Sequence, residues 1–374
     1  MALTGRIAVF DKANEPMVIK EFPVADPEPG QILVKLSLSN VCGSDLHIWR
    51  GETPPLGKGG MPVVLGHEMT GKIYKLGTGV TKDALGKPLK EGDRIVYSYY
   101  SSCGHCLACL RGTENECMMS LMSVIRPVNT RPHFFGGFGD YYYVTPKQKV
   151  LKVSDDLTDE MVAGVNCALS QVIHGLLQAD LKFGETVVIQ GAGGLGTYAT
   201  AVAKEMGASK VIVIDSVPER LELAKKMGAD DVIDMRELAD GKARTSRVLA
   251  LTDQWGADLV VEVVGRVEAM PEGVRMMGRG GRYLTLGNIT PRATYAEDPS
   301  ILVGGNRSII GVSLYPPIIL KRGLDFLRRC KGKYPLADVP QKYPLEKINE
   351  AFLDADQFAK KGKAVTRASI DLAA

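Results

Sequence analysis

The run Glu185-Thr-Val-Val-Ile-Gln190 leads directly into Gly191-Ala-Gly193-Gly194-Leu195-Gly196, followed by the helix-like TYATAVAKEMG. A glycine-rich turn between a β-branched run and a helix constrains this chain more than any other feature. Gly191 suits the tight turn, Gly193 lets backbone approach a pyrophosphate, and Gly196 lets the helix pack closely on the strand. Gly194 and Leu195 open the helix, where unpaired N–H groups and the helix dipole favour an anion. A second strand, KVIVID, ends on Asp215, nineteen residues after Gly196, close to the ~20 expected for an acid that binds the ribose. Its carboxylate can accept from the ribose hydroxyls and would repel a 2′-phosphate, so the pattern predicts NAD rather than NADP. Two plainer readings stand beside this one: a glycine-rich turn with no dinucleotide, and an Asp215 that only caps a helix.

The same alternation continues downstream. VPERLELAKKMG reads as a helix with Pro218 in its first turn, and DLVVEVV from Asp258 and GRYLTLG from Gly281 read as strands. Strands alternating with helices predict an α/β unit whose parallel sheet is covered on both faces. Residues before Asp156 differ, being rich in Gly, Pro and period-two runs. In QILVKLSLS, Ile32, Val34, Leu36 and Leu38 share one face, and EGDRIVYSYY and GDYYYVTP add further strands. The 374 residues suit two domains at about 100–200 residues each. The expected division is a mainly antiparallel β domain over 1–160, the nucleotide unit over 161–305, and a return to the first domain over 306–374. No internal repeat is present.

Composition narrows the function classes. The 46 basic and 43 acidic residues leave a net charge of +3 spread along the chain, which is no footprint for nucleic acid or an anionic membrane. No apolar run approaches the ~20 residues of a membrane span. The stretch MALTGRIAVFDKANEP lacks the pattern of a signal peptide, so the expected location is cytoplasmic. Seven cysteines, four of them within fifteen residues, suit metal binding better than disulfides.

Cys103, Cys106, Cys109 and Cys117 form C-x2-C-x2-C-x7-C. Four thiolates at this spacing can surround a tetrahedral zinc ion with no open position, the pattern of a structural site. His105 lies inside the loop and is read as non-ligating. A DNA-binding zinc ribbon fits poorly with the balanced charge; four cysteines sharing no metal is the other alternative.

Cys42, His67 and Cys167 are too far apart for spacing to unite them, and each alone would be ordinary. The strings Val41-Cys-Gly-Ser-Asp-Leu-His47 and Gly66-His67-Glu68, then the four-cysteine loop, then the glycine fingerprint, follow in that order. Over nearly its whole length the chain resembles the zinc-containing medium-chain dehydrogenase/reductase family, which includes alcohol, sorbitol and threonine dehydrogenases. The resemblance implies a Rossmann-type doubly wound sheet plus a GroES-like, mainly antiparallel β catalytic domain. It implies two zinc ions per chain, one structural and one catalytic, the latter held by Cys42, His67 and Cys167. Some relatives carry a carboxylate at the third position. Glu68 is implied as a group that can approach the metal, and Asp45 as the acid that orients the ligand histidine.

Ser44 and His47 match the family's proton relay, with the plainer alternatives of a turn-stabilising serine and a loop histidine. Trp49 and Tyr99 match positions that line the substrate pocket. The implied reaction is reversible hydride transfer between an alcohol, secondary or polyol, and NAD, in a homodimer or homotetramer acting on small molecules. A zinc-free quinone or enoyl reductase and a non-catalytic nucleotide-binding protein are the rival readings. His133, His174 and Cys330 carry no assigned chemistry. The stretch from Met118 to Phe135, with Arg126, Arg131, His133, Phe134 and Phe135, is longer than the family's usual link. It reads either as a lid over the substrate or as a surface insertion or subunit contact.

Overall fold

The computed structural model of the chain describes residues 3–54, 60–122, 126–356 and 365–373. It divides into two units, one formed by Met1–Ser170, Leu314–Lys331 and Leu336–Ala374, the other by Gln171–Ser313 and Gly332–Pro335.

The first unit is built on a largely antiparallel seven-stranded sheet. Its central strand, Ile32–Asn40, pairs on one side with Glu68–Leu76 and on the other with both Tyr141–Val144 and Arg367–Asp371. The alternating pattern predicts one buried face, and Ile32, Val34, Leu36 and Leu38 are indeed buried. Leu33, Ser39 and Asn40 are buried too, because a strand with neighbours on both edges and packing on both faces leaves little for water. Phe10, Phe134, Phe138, Tyr143 and Phe352 are among the large side chains that fill this core. A smaller sheet of Val18–Pro23, Thr4–Phe10 and Val63–Val64 lies beside it.

The second unit holds six parallel strands in the order Asp231–Asp234, Lys210–Asp215, Thr186–Gln190, Ala257–Glu262, Met277–Thr285, Ser308–Gly311. Numbered along the chain this is the order 3-2-1-4-5-6 of a doubly wound dinucleotide fold, whose ligand crevice lies where the order reverses. That point is the C-terminal end of Thr186–Gln190, where the glycine turn begins. Val187, Val188, Ile189, Leu259, Val260 and Val261 are wholly buried, as apolar strands covered on both faces must be. Among the described residues no helix is long and apolar enough to cross a membrane.

Candidate active site and metal centres

Sheet register brings the first two candidate ligands together. Asn40 stands opposite Glu68 where two antiparallel strands meet, so Cys42, just past one strand, and His67, just before the other, emerge at the same end. Cys42 is the N-cap of the helix Gly43–Trp49. Asp45, in that helix's first turn and 1% exposed, accepts from the Cys42 N–H at 3.0 Å and the Gly66 N–H at 3.0 Å. The same carboxylate lies 3.5 Å from His67 Nδ1. One buried acid thus ties the two ligand segments together and leaves Nε2 of His67 turned inward. Gly66 has φ +87°, and a Cβ there would meet Phe138 at 3.0 Å, so only glycine lets the chain make this bend without strain.

The third ligand arrives on an irregular turn. Cys167 sits in the single π-helical turn Val165–Leu169, a geometry often found at functional sites. Its neighbour Asn166, fully buried, donates to the His67 carbonyl at 2.9 Å and accepts from the Met69 N–H at 3.3 Å. The Tyr315 hydroxyl donates to the Asn166 carbonyl. These bonds hold the turn against the segment that carries His67.

The ligand atoms of Cys42, His67 and Cys167 all lie within 4.8 Å of one another. A tetrahedral zinc with bonds of about 2.0–2.3 Å needs ligand atoms roughly 3.5–3.8 Å apart, so two sulfurs and a ring nitrogen in this space fit the ion after a small contraction. The two thiols, Cys167 buried and Cys42 partly so, act on one another. A hydrogen bond from Cys167 holds the Cys42 thiol well below its ordinary range, and the same bond drives Cys167 well above it. A divalent cation entering here would displace the remaining thiol proton.

Around this group, Ser44 Oγ lies 3.4 Å from His67 Nε2 and the Tyr99 ring lies 4.9 Å from the His67 ring. Glu68 faces another way. Its Oε2 pairs with the buried Arg367 and accepts from Asn40 Nδ2 at 3.2 Å. Burial pushes its carboxyl up to about 7 against the pull of Arg367. His47, 8% exposed, places Nδ1 2.6 Å from Glu52 Oε2. Trp49 does not join the group: its ring packs on Phe352 at 5.9 Å and its N–H reaches the Glu15 carbonyl.

Cys103, Cys106, Cys109 and Cys117 also gather within 4.8 Å, with Sγ separations of 3.9 Å for Cys103–Cys109 and 3.5 Å for Cys106–Cys109. These bracket the ~3.8 Å edge of a tetrahedral zinc–thiolate site. Backbone N–H groups of Cys103 and Cys106 donate to Cys117 and Cys103 sulfurs at 3.4 and 3.3 Å. Against its burial, such donors bring the Cys117 thiol down to about 6, as suits a metal-binding sulfur. His105 is exposed and is not one of the gathered groups.

In the second unit Gly191 has φ +102°, and a Cβ on Gly196 would fall 1.9 Å from the Gly191 carbonyl oxygen. Gly193, the N-cap of the helix Gly194–Glu205, is different: a Cβ there would meet only Arg220 Nη1 at 4.0 Å. That open space, at a helix N-terminus beside a guanidinium, fits a pyrophosphate. Asp215 accepts from the Ala192, Ser216 and Val217 N–H groups at 2.7, 2.7 and 2.9 Å. A carboxylate offers about four acceptor sites, so these bonds fix its direction and leave about one site for a ribose hydroxyl.

Of the stretch from Met118 to Phe135, residues 123–125 lie outside the described residues. Phe134 and Phe135 are buried in the first unit's core, Arg126 stands 4.3 Å over the Phe135 ring, and His133 stacks on Phe22 at 4.7 Å. The aromatic content that suggests a lid is used here for packing. Sequence reasoning missed Asn40, Glu52, Asn166 and Arg367, none of which belongs to a local motif.

The chain matches the alcohol dehydrogenase GroES-like domain over residues 28–155 and the zinc-binding dehydrogenase family over residues 194–329. It is 34% identical over 349 residues to 5-exo-hydroxycamphor dehydrogenase of Pseudomonas putida, covering 93% of this chain and 94% of that protein. It is 31% identical to L-threonine 3-dehydrogenase of Rhizobium etli, over 75% of each chain. The crystal structure of an alcohol dehydrogenase from Thermotoga maritima superposes with a TM-score of 0.89 at 30% identity, covering 99% of both chains. With a Rossmann-type sheet, a GroES-like β unit and these relatives along its length, the chain belongs to the zinc-containing medium-chain dehydrogenase/reductase family.

Proposed function

We propose that this protein is a zinc-dependent alcohol dehydrogenase that passes a hydride reversibly between a secondary alcohol or polyol and NAD. The observation that carries the reading is the convergence of Cys42, His67 and Cys167, two thiolates and an imidazole, a donor set of catalytic zinc with a fourth position open. When bound, zinc lowers the pKa of a hydroxyl, as it does that of water from about 15.7 to ~7, and NAD accepts the hydride. The chain's own residues do the rest. Asp45, on the Nδ1 side of His67, would leave Nε2 for the ion. Ser44, beside that nitrogen, takes the proton from the substrate hydroxyl, and His47 receives it in turn and releases it near neutral pH. Glu68 is kept by Arg367 and Asn40 as a reserve carboxylate next to a ligand. Gly191 to Gly196 receive the pyrophosphate, Asp215 a ribose hydroxyl, and Tyr99 bounds the substrate beside His67.

The four-cysteine loop, Cys103, Cys106, Cys109 and Cys117, would hold a second, structural zinc. The protein is placed in the cytoplasm, where thiols stay reduced for metal binding. The assembly is a homodimer or homotetramer, with residues 1–160 and 306–374 forming the zinc-carrying domain and 161–305 the nucleotide domain, whose first residues, Cys167 among them, pack with the zinc-carrying unit.

Metal analysis combined with an NAD-reduction screen over secondary alcohols, polyols, aromatic alcohols and hydroxy acids tests this. Two zinc ions per chain with NADH formed from at least one class is expected. A fully active protein free of zinc would instead favour the quinone or enoyl reductase reading. A zinc-loaded protein that reduces NAD with no class would end the proposal.

A further inference from the structure

A partly buried charge network adjoins the helix that carries Cys42 and is distinct from the ligands of both metal centres. His47 Nδ1 stands 2.6 Å from Glu52 Oε2. Arg50 grips that carboxylate with both arms of its fork, Nε to Oε1 at 2.8 Å and Nη2 to Oε2 at 2.9 Å. Nη2 also lies 3.4 Å from His47 Nδ1, to which it could only donate, but the carboxylate at 2.6 Å is the nearer partner of that nitrogen. Its remaining arm, Nη1, reaches Asp356 Oδ1 at 2.9 Å, and Asp356 is 1% exposed. One guanidinium therefore faces two carboxylates. The Glu52 side chain keeps 33% exposure while that of His47 has 10%.

We propose that Glu52 is the positioning residue of the proton relay. It holds His47 as the tautomer with hydrogen on Nδ1, so that Nε2 is the bare base, and it balances the charge when Nε2 takes a proton. The inference rests on the relay role given to His47 above. A neutral imidazole presents one donor and one acceptor nitrogen, and a carboxylate on one side decides which is which. Among the described residues, the charged groups acting on the ring include Glu52, Arg50 and, at the start of the same helix, the Cys42 thiol. Burial first and Arg50 second hold His47 below its ordinary range, while Glu52 and Cys42 pull the other way. Glu52 and Arg50 thus act on the ring with opposite sign.

The test measures His47 directly and kinetically in the zinc-loaded, full-length protein. Imidazole titrations are followed by NMR on histidine labelled with carbon-13, with the His47 signal assigned by its loss in His47→Asn. Glu52→Gln is expected to lower the His47 pKa by about one unit, and Arg50→Gln to raise it by a similar amount. Alcohol oxidation needs the unprotonated ring, so the acid limb of the kcat profile moves to lower pH in Glu52→Gln and to higher pH in Arg50→Gln. In Glu52→Gln, kcat falls about tenfold with KM little changed, and Glu52→Asp, which keeps the charge, recovers most of the loss. A His47 titration unmoved in Glu52→Gln overturns the proposal, whatever the activity. So does a moved titration with an unmoved kinetic limb. Variant titrations that move as expected in a protein whose wild type reduces no NAD would leave the Glu52–His47 pairing standing and sink the dehydrogenase reading instead.

Discussion

The two cysteine-containing centres are built on opposite plans. The four-cysteine site takes all its ligands from one short loop, whose Leu107 and Leu110 are 62% and 75% exposed. It has little core beneath it, and its order must come from the metal. The three-ligand site takes Cys42, His67 and Cys167 from distant parts of the chain and seats them where the sheet register, the Asp45 carboxylate and the Asn166 amide already fix their directions. One site is made by its metal. The other is made by the fold and has the metal added, which is what a centre needs if a ligand position is to stay open for chemistry.

The comparison breaks first at the ligands themselves. Cys42→Ser is expected to reduce kcat/KM by about 10³-fold or more, since several kcal/mol of charge stabilisation go with the ion. The protein should stay folded, with one zinc per chain by metal analysis and an unchanged far-UV spectrum. Unfolding of this variant would mean that the fold does not preform the site. Asp45→Asn comes next. The amide oxygen can keep one backbone bond, but not both, and the charge facing His67 is gone. A loss of 10–100-fold in zinc affinity is expected, read by competition with a chelator. An unchanged affinity would leave Asp45 as a helix cap only.

Removing a ligand from the exposed loop acts on a different quantity. Cys109→Ser should release one zinc and open the loop to proteolysis near residues 103–117, while zinc at the three-ligand site survives. Activity should fall by less than in either variant above. Loss of both ions together would show that the two centres are coupled.

How much of this was legible in the sequence follows the same division. The glycine turn, Asp215 and the four-cysteine loop are local patterns, in which spacing alone carries the geometry, and the parallel sheet follows from the alternation around them. The three-ligand site is not local. Nothing near Cys42 points to Cys167, and only the resemblance joined them. Arg367 and Asn40 were invisible because their partnership with Glu68 is created by strand pairing, which brings Asn40 across 28 positions and Arg367 across 299. Glu52 follows His47 closely, but a helix end had to turn before the two could meet. For Phe134 and Phe135 the sequence left a lid and a surface insertion or subunit contact side by side. Aromatic residues in a long link suggest a lid, and here they are packed inside the first unit.

The smallest expected effect sharpens the comparison most. If the four-cysteine loop is ordered by ligation rather than by burial, its large apolar side chains contribute almost nothing to stability. Leu110, at 75% exposed, lies directly after the ligand Cys109, so it would be among the first to matter if packing held the loop. Leu110→Lys should leave two zinc ions per chain and shift the melting temperature by no more than about 1–2 °C, since an exposed substitution is worth within roughly 0.5 kcal/mol. A comparable change at a buried residue of the other site, such as Tyr99→Ala, should cost about 3 kcal/mol or more, as for other large-to-small core replacements. A fall of several degrees in Leu110→Lys, with a change in subunit assembly by light scattering, would show that this leucine is covered by a second copy. The loop would then owe its order to an interface as well as to its metal, and the contrast between the two centres would be one of degree.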